Sequence, residues 1–431
     1  MAQLSPVDVT FVLLSFEGPD PYATAGGLGV RVTELSLALA EAGYPVHLLF
    51  LGDPAAPARE TRLDGRLTLH RWGQWISQHH PAGVYQGEEG KLADFSASVP
   101  AFVVDDLVRP ILAAGRLAVV MGEDSQTAEA MCAVSDGLWA AGLRQRAVLL
   151  WNANTTKGFE RLNWGRLGFT TTLTTVSRYM GQLLREQGVD ALVIPNGIPR
   201  RLLAPVEASS VAMLRQSLGP RTILAKVARW DPDKRWLAAV ELVAELRARA
   251  RPAALVARGG AEPHGGEVLA HAQTLGLVVK DVRPAEQTDA AYAAAFAEAG
   301  DADVLNVTTA MPPAMLRLLY RAADAVLANS GSEPFGLVGL EAMAAGGVVF
   351  TGQTGEDYVR HLQNAIVLDT GDAAEAAWYV ADLAERPEAQ AALRREARET
   401  AGEFTWDRVL EELLGKIAFL ASQQDAARPT P

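Results

Sequence analysis

Ala325-Val326-Leu327-Ala328-Asn329-Ser330-Gly331-Ser332-Glu333-Pro334-Phe335-Gly336-Leu337-Val338-Gly339-Leu340-Glu341-Ala342-Met343 reads as a short apolar strand over 325–327, a polar loop, and a helix opening after the loop. A strand that is apolar without alternation suits burial on both faces, and the helix after it is the crossover of a parallel sheet. The same pattern recurs outward from this stretch. In the second half, strands read at 223–227, 254–257, 304–307 and 348–351. In the first half they read at 11–15, 46–50, 117–121, 148–151, 171–176 and 192–194, with helices at 28–42, 127–141 and 178–187 between them. Two runs of alternating β and α elements predict an α/β fold with two doubly wound parallel sheets. Ile194-Pro195-Asn196-Gly197-Ile198-Pro199 ends a strand and breaks the pattern, which places a boundary near residue 200. The expectation is an N-terminal Rossmann-like domain over 1–200 and a C-terminal one over 201–404. Open sheets of this kind bind ligands beyond the carboxyl ends of their strands, so two facing sheets would form a cleft.

Bulk properties narrow the function. A length of 431 residues exceeds what one core usually serves, which agrees with two domains. The formal net charge of -12 argues against a nucleic-acid binder but leaves room for a few focused cations around a small anion. The single cysteine, Cys132, forbids an intrachain disulfide; it reads as a buried apolar residue in a reducing, cytoplasmic setting. The apolar run 11–14 is too short for a signal sequence, no stretch is long enough to span a membrane, and the tail 422–431 is expected to be disordered. The seven histidines show no metal-ligand spacing, so no metal is expected.

Three motifs fall on loops that follow strands. Glu17-Gly18-Pro19 and Gly26-Gly27-Leu28-Gly29 follow the first strand, where glycines let the backbone approach a ligand and a helix start offers N–H groups to an anion. The spacing is not that of a dinucleotide fingerprint, and a glycine turn that only packs helix on sheet fits equally well. Arg229-Trp230-Asp231-Pro232-Asp233-Lys234 follows the strand at 223–227. Arg229 offers a planar fork to phosphate oxygens and Lys234 a point charge, although a solvated pair around an Asp-capped helix start remains open. Asp231-x-Asp233 and Asp301-x-Asp303 have metal-motif spacing but read better as caps. In the opening stretch, Glu333 on the loop and Glu341 on the helix place two carboxylates where both reach one ligand, and carboxylates accept bonds from paired hydroxyls. The amides around Phe335, Gly336 and Leu337 point at that ligand from a helix start.

The Glu333-to-Glu341 string resembles the E-x7-E signature of retaining GT-B glycosyltransferases of the glycogen synthase and family 4 type. Gly26-Gly27-Leu28 is similar to that family's donor-phosphate loop, and Val176-Ser177-Arg178 and 193–198 resemble its strand signatures before the linker. Arg229 and Lys234 match its diphosphate-binding pair, and Thr354-Gly355 its glycine turn, with Glu356 where a second glycine is usual. Phe404-Thr405-Trp406 resembles the start of its last helix, over 405–421, which crosses back onto the N-domain. The resemblance implies two facing Rossmann-like domains, acceptor on the first and nucleotide-sugar donor on the second. It implies that Glu341 holds the ribose and Glu333 faces the transferred sugar, with Gly26, Gly27, Asn152, Phe335, Gly336, Leu337 and Thr354 lining the donor.

The resemblance also shows departures. Met121-Gly122-Glu123-Asp124-Ser125-Gln126-Thr127 aligns with the family's His-Asp-Trp-Gln-Thr, so Glu123 stands where a donor-contacting histidine is expected. A histidine can donate to a hydroxyl, whereas an ionised glutamate only accepts. Trp151-Asn152 replaces His-Asn, and Thr24-Ala25 lacks the lysine of glycogen synthases. The expected activity is retaining, metal-independent transfer of a hexose from a UDP-, ADP- or GDP-linked sugar to an acceptor hydroxyl. Catalysis falls to Glu333, Arg229, Lys234 and Glu123, and no cofactor is needed beyond the donor itself. The alternatives are a non-catalytic nucleotide-sugar binder and, further off, a GT-B epimerase or phosphorylase. Trp72, Trp75 and Trp164, read as loop residues, and the segments 51–71 and 72–91 are candidates for shaping an acceptor site.

Overall fold

β-Branched and leucine-rich runs with no polar alternation leave a strand no face for water, and central strands of the two sheets such as Val9–Leu14 and Ala325–Ala328 are such runs. The computed structural model describes residues 4–352 and 354–424. The chain divides into two compact units, one made of residues up to 199 together with those from 405 on, the other of 200–404.

The sheet of the first unit contains β1 (Val9–Leu14), β2 (Val46–Leu51), β3 (Arg59–Arg62), β4 (Leu67–Trp72), β5 (Leu117–Glu123), β6 (Ala147–Ala153), β7 (Thr172–Thr175) and β8 (Leu192–Val193). Their order across the sheet is β3-β4-β2-β1-β5-β6-β7-β8. All neighbours are parallel except β3 and β4. Every residue of β1 is buried. The helix Trp406–Gln423 belongs to this unit, where Trp406, Val409, Leu410, Leu413 and Ile417 join the core that holds Phe11, Leu35 and Phe50. Two contacts seat it: Ile198 bridges Thr405, and Lys416 Nζ donates to the Val193 carbonyl. Gly197 permits this approach, since a Cβ there would come within 2.6 Å of the Trp406 ring.

The second unit carries β9 (Thr222–Val227), β10 (Ala253–Arg258), β11 (Val279–Val282), β12 (Val304–Val307), β13 (Ala325–Ala328), β14 (Val349–Thr351) and β15 (Ile366–Val367), in the order β11-β12-β10-β9-β13-β14-β15, all parallel. Strand order reverses between β9 and β13, the kind of position where open sheets hold ligands.

Several expectations need correction. The segments 51–71 and 72–91 are not plain loops: they hold β3, β4 and the short helix Gln74–Ser77, and the helix Glu88–Phe102 starts within them. The alternation of β4 was masked because His70 and Arg71 are polar yet buried. Trp72 therefore ends a strand, Trp75 sits on a helix and Trp164 begins one. Of these three, Trp75 is exposed, while Trp164 packs edge-on against Trp151 and Phe159. The last helix continues through Ser422 and Gln423, beyond the end expected for it; 425–431 of the tail lie outside the described residues.

Candidate functional site

In the second unit, three loops leave the carboxyl ends of the adjacent strands β9, β13 and β14 and are tied to one another. The loop after β9 turns at Asp231, whose Oδ1 accepts from the Asp233 amide at 2.9 Å, the capping role read from the sequence. Asp233 then accepts from the Ser332 amide at 2.9 Å through Oδ1, and its carbonyl accepts from the Gly331 amide at 2.7 Å. Lys234 Nζ lies 2.9 Å from Glu333 Oε2, both side chains about one-fifth exposed. The Glu333 amide donates to Thr354 Oγ1 at 2.8 Å, and the Glu333 carbonyl accepts from the Gly355 amide at 2.7 Å. A Cβ at Gly355 would fall 2.0 Å from the Pro334 carbonyl oxygen, so this approach requires glycine.

The helix Leu337–Ala344 opens at Gly336, which adopts φ +82°. The cap residue, a glycine, supplies no side-chain bond to that end, which lies beside Glu333. Phe335 is buried against Tyr358 and Phe404, which anchors the turn, and Tyr358 Oη donates to the Gly336 carbonyl. Arg229 is exposed; among the described residues its side chain makes no recorded hydrogen bond or ion pair, while its carbonyl is held by Trp236 Nε1 at 2.7 Å. Thus Arg229, Lys234, Glu333, Phe335, Gly336, Leu337 and Thr354 share one edge of one sheet. Glu341 is half-buried on the helix that starts there.

Two further groups in this unit were not singled out, or were singled out only as anomalies. Glu356 is 4% exposed, its Oε2 accepts from the Thr354 amide at 3.1 Å, and its Oε1 has no partner. Burial first, and then the nearby Glu333, push its carboxyl up to about 7. Lys226 is a lone lysine inside the apolar strand β9 and is fully buried; that isolation was the available signal.

The first unit gives a different result from the one expected. The Gly26-Gly27 turn does not present an open set of amides. Glu17, buried after β1, accepts through Oε2 from the amides of Ala25, Gly26 and Gly29 at 2.9, 3.0 and 3.0 Å, and through Oε1 from Tyr85 Oη at 2.7 Å. The anion at this helix start is the chain's own carboxylate. Gly26 and Gly27 themselves border open space. Beside them, Tyr22, Thr24, Ala25 and Tyr85 line a cavity of about 350 Å³.

Glu123 likewise does not stand free. At the end of β5 it is fully buried, and its Oε2 accepts from Arg31 Nε at 3.0 Å, Asn152 Nδ2 at 3.0 Å and Asn154 Nδ2 at 2.7 Å; Oε1 has no recorded partner. Arg31 is 2% exposed and also reaches Asn196. Asn152, facing Glu123 in register, further accepts from Thr174 at 2.8 Å. The residue in place of a family histidine is therefore one half of a buried ion pair. Its neighbour Asp124, at φ +61°, is pushed up to about 7 by burial and then by Glu123. Among the described residues no group of three or more His, Cys, Asp or Glu side chains is placed to hold a metal, and no helix is long and apolar enough to cross a membrane.

Residues 215–400, all within the second unit, match the family Glycosyl transferases group 1, which supports the resemblance drawn from the sequence. A D-inositol 3-phosphate glycosyltransferase of Saccharomonospora viridis is 39% identical over 118 residues, 25% of this chain. That stretch spans about a quarter of the relative's own length (26%). Over nearly the whole chain, the structure is similar to sucrose-phosphate synthase from Thermosynechococcus elongatus, with a TM-score of 0.69 and 20% identity across 97% of this chain and 100% of the other. It is equally similar to the catalytic domain of starch synthase IV from Arabidopsis thaliana bound to ADP and acarbose, with a TM-score of 0.69 and 16% identity across 98% and 100%. Those likenesses show the fold, which is GT-B.

Proposed function

We propose that this chain, a GT-B fold whose second unit matches the group 1 glycosyl transferases, moves a hexose from a UDP-, ADP- or GDP-linked sugar to an acceptor hydroxyl, with retention and without a metal ion. The observation that carries the reading is the convergence at one sheet edge of an exposed guanidinium (Arg229), a lysine–carboxylate pair (Lys234–Glu333) and a helix start at Leu337 without a side-chain cap. Cations and helix-start amides suit a diphosphate, and a carboxylate beside them suits sugar hydroxyls.

In this reading Arg229, Lys234 and the amides at Gly336 and Leu337 bind the diphosphate and stabilise the charge that grows on it as the C1–O bond to phosphate breaks. The acceptor oxygen bonds to C1 on the same face, and its proton passes to the leaving phosphate oxygen. Glu333 orients the transferred hexose, Glu341 holds the ribose, and the cavity beside Tyr22 and Tyr85 is the acceptor's place in the first unit. The lone buried Cys132 supports a cytoplasmic setting.

A second reading has specific support. With Glu123 neutralised by Arg31 and the glycine-loop amides occupied by Glu17, the first unit offers fewer free groups to a donor than the family pattern implies, which favours a nucleotide-sugar binder without turnover. Incubation of the purified chain with UDP-, ADP- and GDP-sugars, with and without acceptors, separates the two. Release of nucleoside diphosphate from one donor establishes transfer; binding without release establishes the second reading.

A further inference from the structure

We propose that Lys226 is a positioning residue of this nucleotide-sugar site that couples donor binding to the uptake of one proton; this rests on the donor reading of the β9–β13 edge given above. Lys226 lies on β9 with 1% of its surface exposed. Its Nζ donates to the Leu327 carbonyl at 3.1 Å and to Asn329 Oδ1 at 2.9 Å, and its remaining side faces the Trp236 ring, 5.5 Å from the centroid. Two acceptors match the two N–H groups of a neutral amine and leave the third N–H of an ammonium with only an aromatic face.

The charged groups that face it come from two loops. Lys234 and Arg235, after β9, oppose a proton on Lys226, and Glu333, after β13, favours one while already paired to Lys234. Across the sheet its register partner is Ala257, and the helix Trp236–Ala248 presents the Trp236 ring, so neither adds charge. Burial first, then the two cations, bring the amine down to about 7. Near neutral pH both forms of the amine are therefore accessible.

A diphosphate reverses the local sign. Seated on Arg229 and Lys234 it adds negative charge within a few residues of Lys226, in surroundings where charges are weakly screened, and the ammonium becomes the favoured form. The same nitrogen holds Asn329, the first residue of the loop that carries Glu333, so the proton tightens the base on which the sugar-facing carboxylate stands.

The test is calorimetry of the whole chain with UDP-, ADP- and GDP-linked sugars near pH 7.5, in buffers of contrasting ionisation enthalpy. The diphosphate diester of a nucleotide sugar has no proton of its own to exchange there. The expected result is net proton uptake by the wild type, with affinity weakening roughly tenfold as pH rises from 7 to 9. K226M should bind without uptake and lose that pH dependence. K226R, a permanent cation, should also show no uptake but keep its affinity at high pH, and it decides the matter if K226M does not fold. Binding by the wild type without proton uptake, or uptake that persists in both variants, overturns the proposal while leaving the donor site standing. If no nucleotide sugar binds, the donor reading fails and this one with it.

Discussion

Arg229 and Glu123 carry opposite expectations, because one is exposed with no side-chain partner among the described residues and the other is buried with three donors. If Arg229 binds the donor as proposed, Arg229→Ala removes charge-assisted bonds worth about 1.5–3 kcal/mol each, made with the ligand and not within the fold. It should lower turnover by roughly a hundredfold while the thermal midpoint stays within a degree or two of wild type. A variant with near-normal turnover would remove Arg229 from the site. Glu123→Ala leaves the guanidinium of Arg31 buried and uncompensated, a change that costs about 3–5 kcal/mol in comparable buried pairs. Denaturant unfolding should show that loss, whatever happens to activity; an unchanged midpoint would mean that Glu123 acts on ligand rather than on the fold. The position was legible as a departure from the family pattern, but its meaning was not. Arg31 lies 92 residues away in sequence, and nothing in the residues around Glu123 announces the partner.

At the scale of elements, the apolar strands and post-strand loops were legible because their signals are local (apolar runs, glycine turns, the spacing of Glu333 and Glu341), whereas β3, β4, β11 and β15, polar or only two residues long, were not read. Burial of polar groups also escaped. The pair of half-buried His47 and buried His70 couples β2 to β4, Nδ1 to Nε2 at 3.1 Å, and desolvation holds both imidazoles down to about 4. Between that value and the ordinary 6.5 the unfolded chain binds protons that the folded chain refuses, so this pair's contribution to stability is lost as pH falls through that window. The double variant His47→Asn, His70→Asn should therefore lose less stability than wild type between pH 6.5 and 4; an identical slope would show that the pair does not titrate. Glu356, in the second unit, has the opposite sign. Its folded value near 7 exceeds the ordinary 4.5, so the folded state keeps a proton that the unfolded state releases, and stability falls as pH rises from 4.5 through 7. Glu356→Gln should raise the unfolding midpoint at pH 8 and change it little at pH 4, with up to about 3 kcal/mol at stake. Equal effects at both values would place the benefit in packing rather than in the proton.

For the whole molecule, two sheets joined near residue 200 follow from the repeated β–α pattern, whereas the return of the chain to its first unit does not. The apolar stripe Trp406, Val409, Leu410, Leu413, Ile417 requires some core to cover it, and period alone does not say which. The structure places it in the core of the first unit, held at its start by the Ile198–Thr405 bridge. Each of those side chains contributes about 1.5–3 kcal/mol on burial, so together they match the whole net stability of a typical domain, about 5–15 kcal/mol. The two units should then differ sharply when cut apart. A fragment spanning 200–404 contains its complete sheet and core, and should fold cooperatively and bind a nucleoside diphosphate through Arg229 and Lys234. A fragment ending at residue 199 lacks its covering helix and should expose apolar surface, bind a hydrophobic dye and melt without a cooperative transition; adding 405–424 as a separate peptide should restore one. Cooperative folding of 1–199 alone would show that the helix docks on a finished core, and its stripe would then contribute far less than its buried area implies.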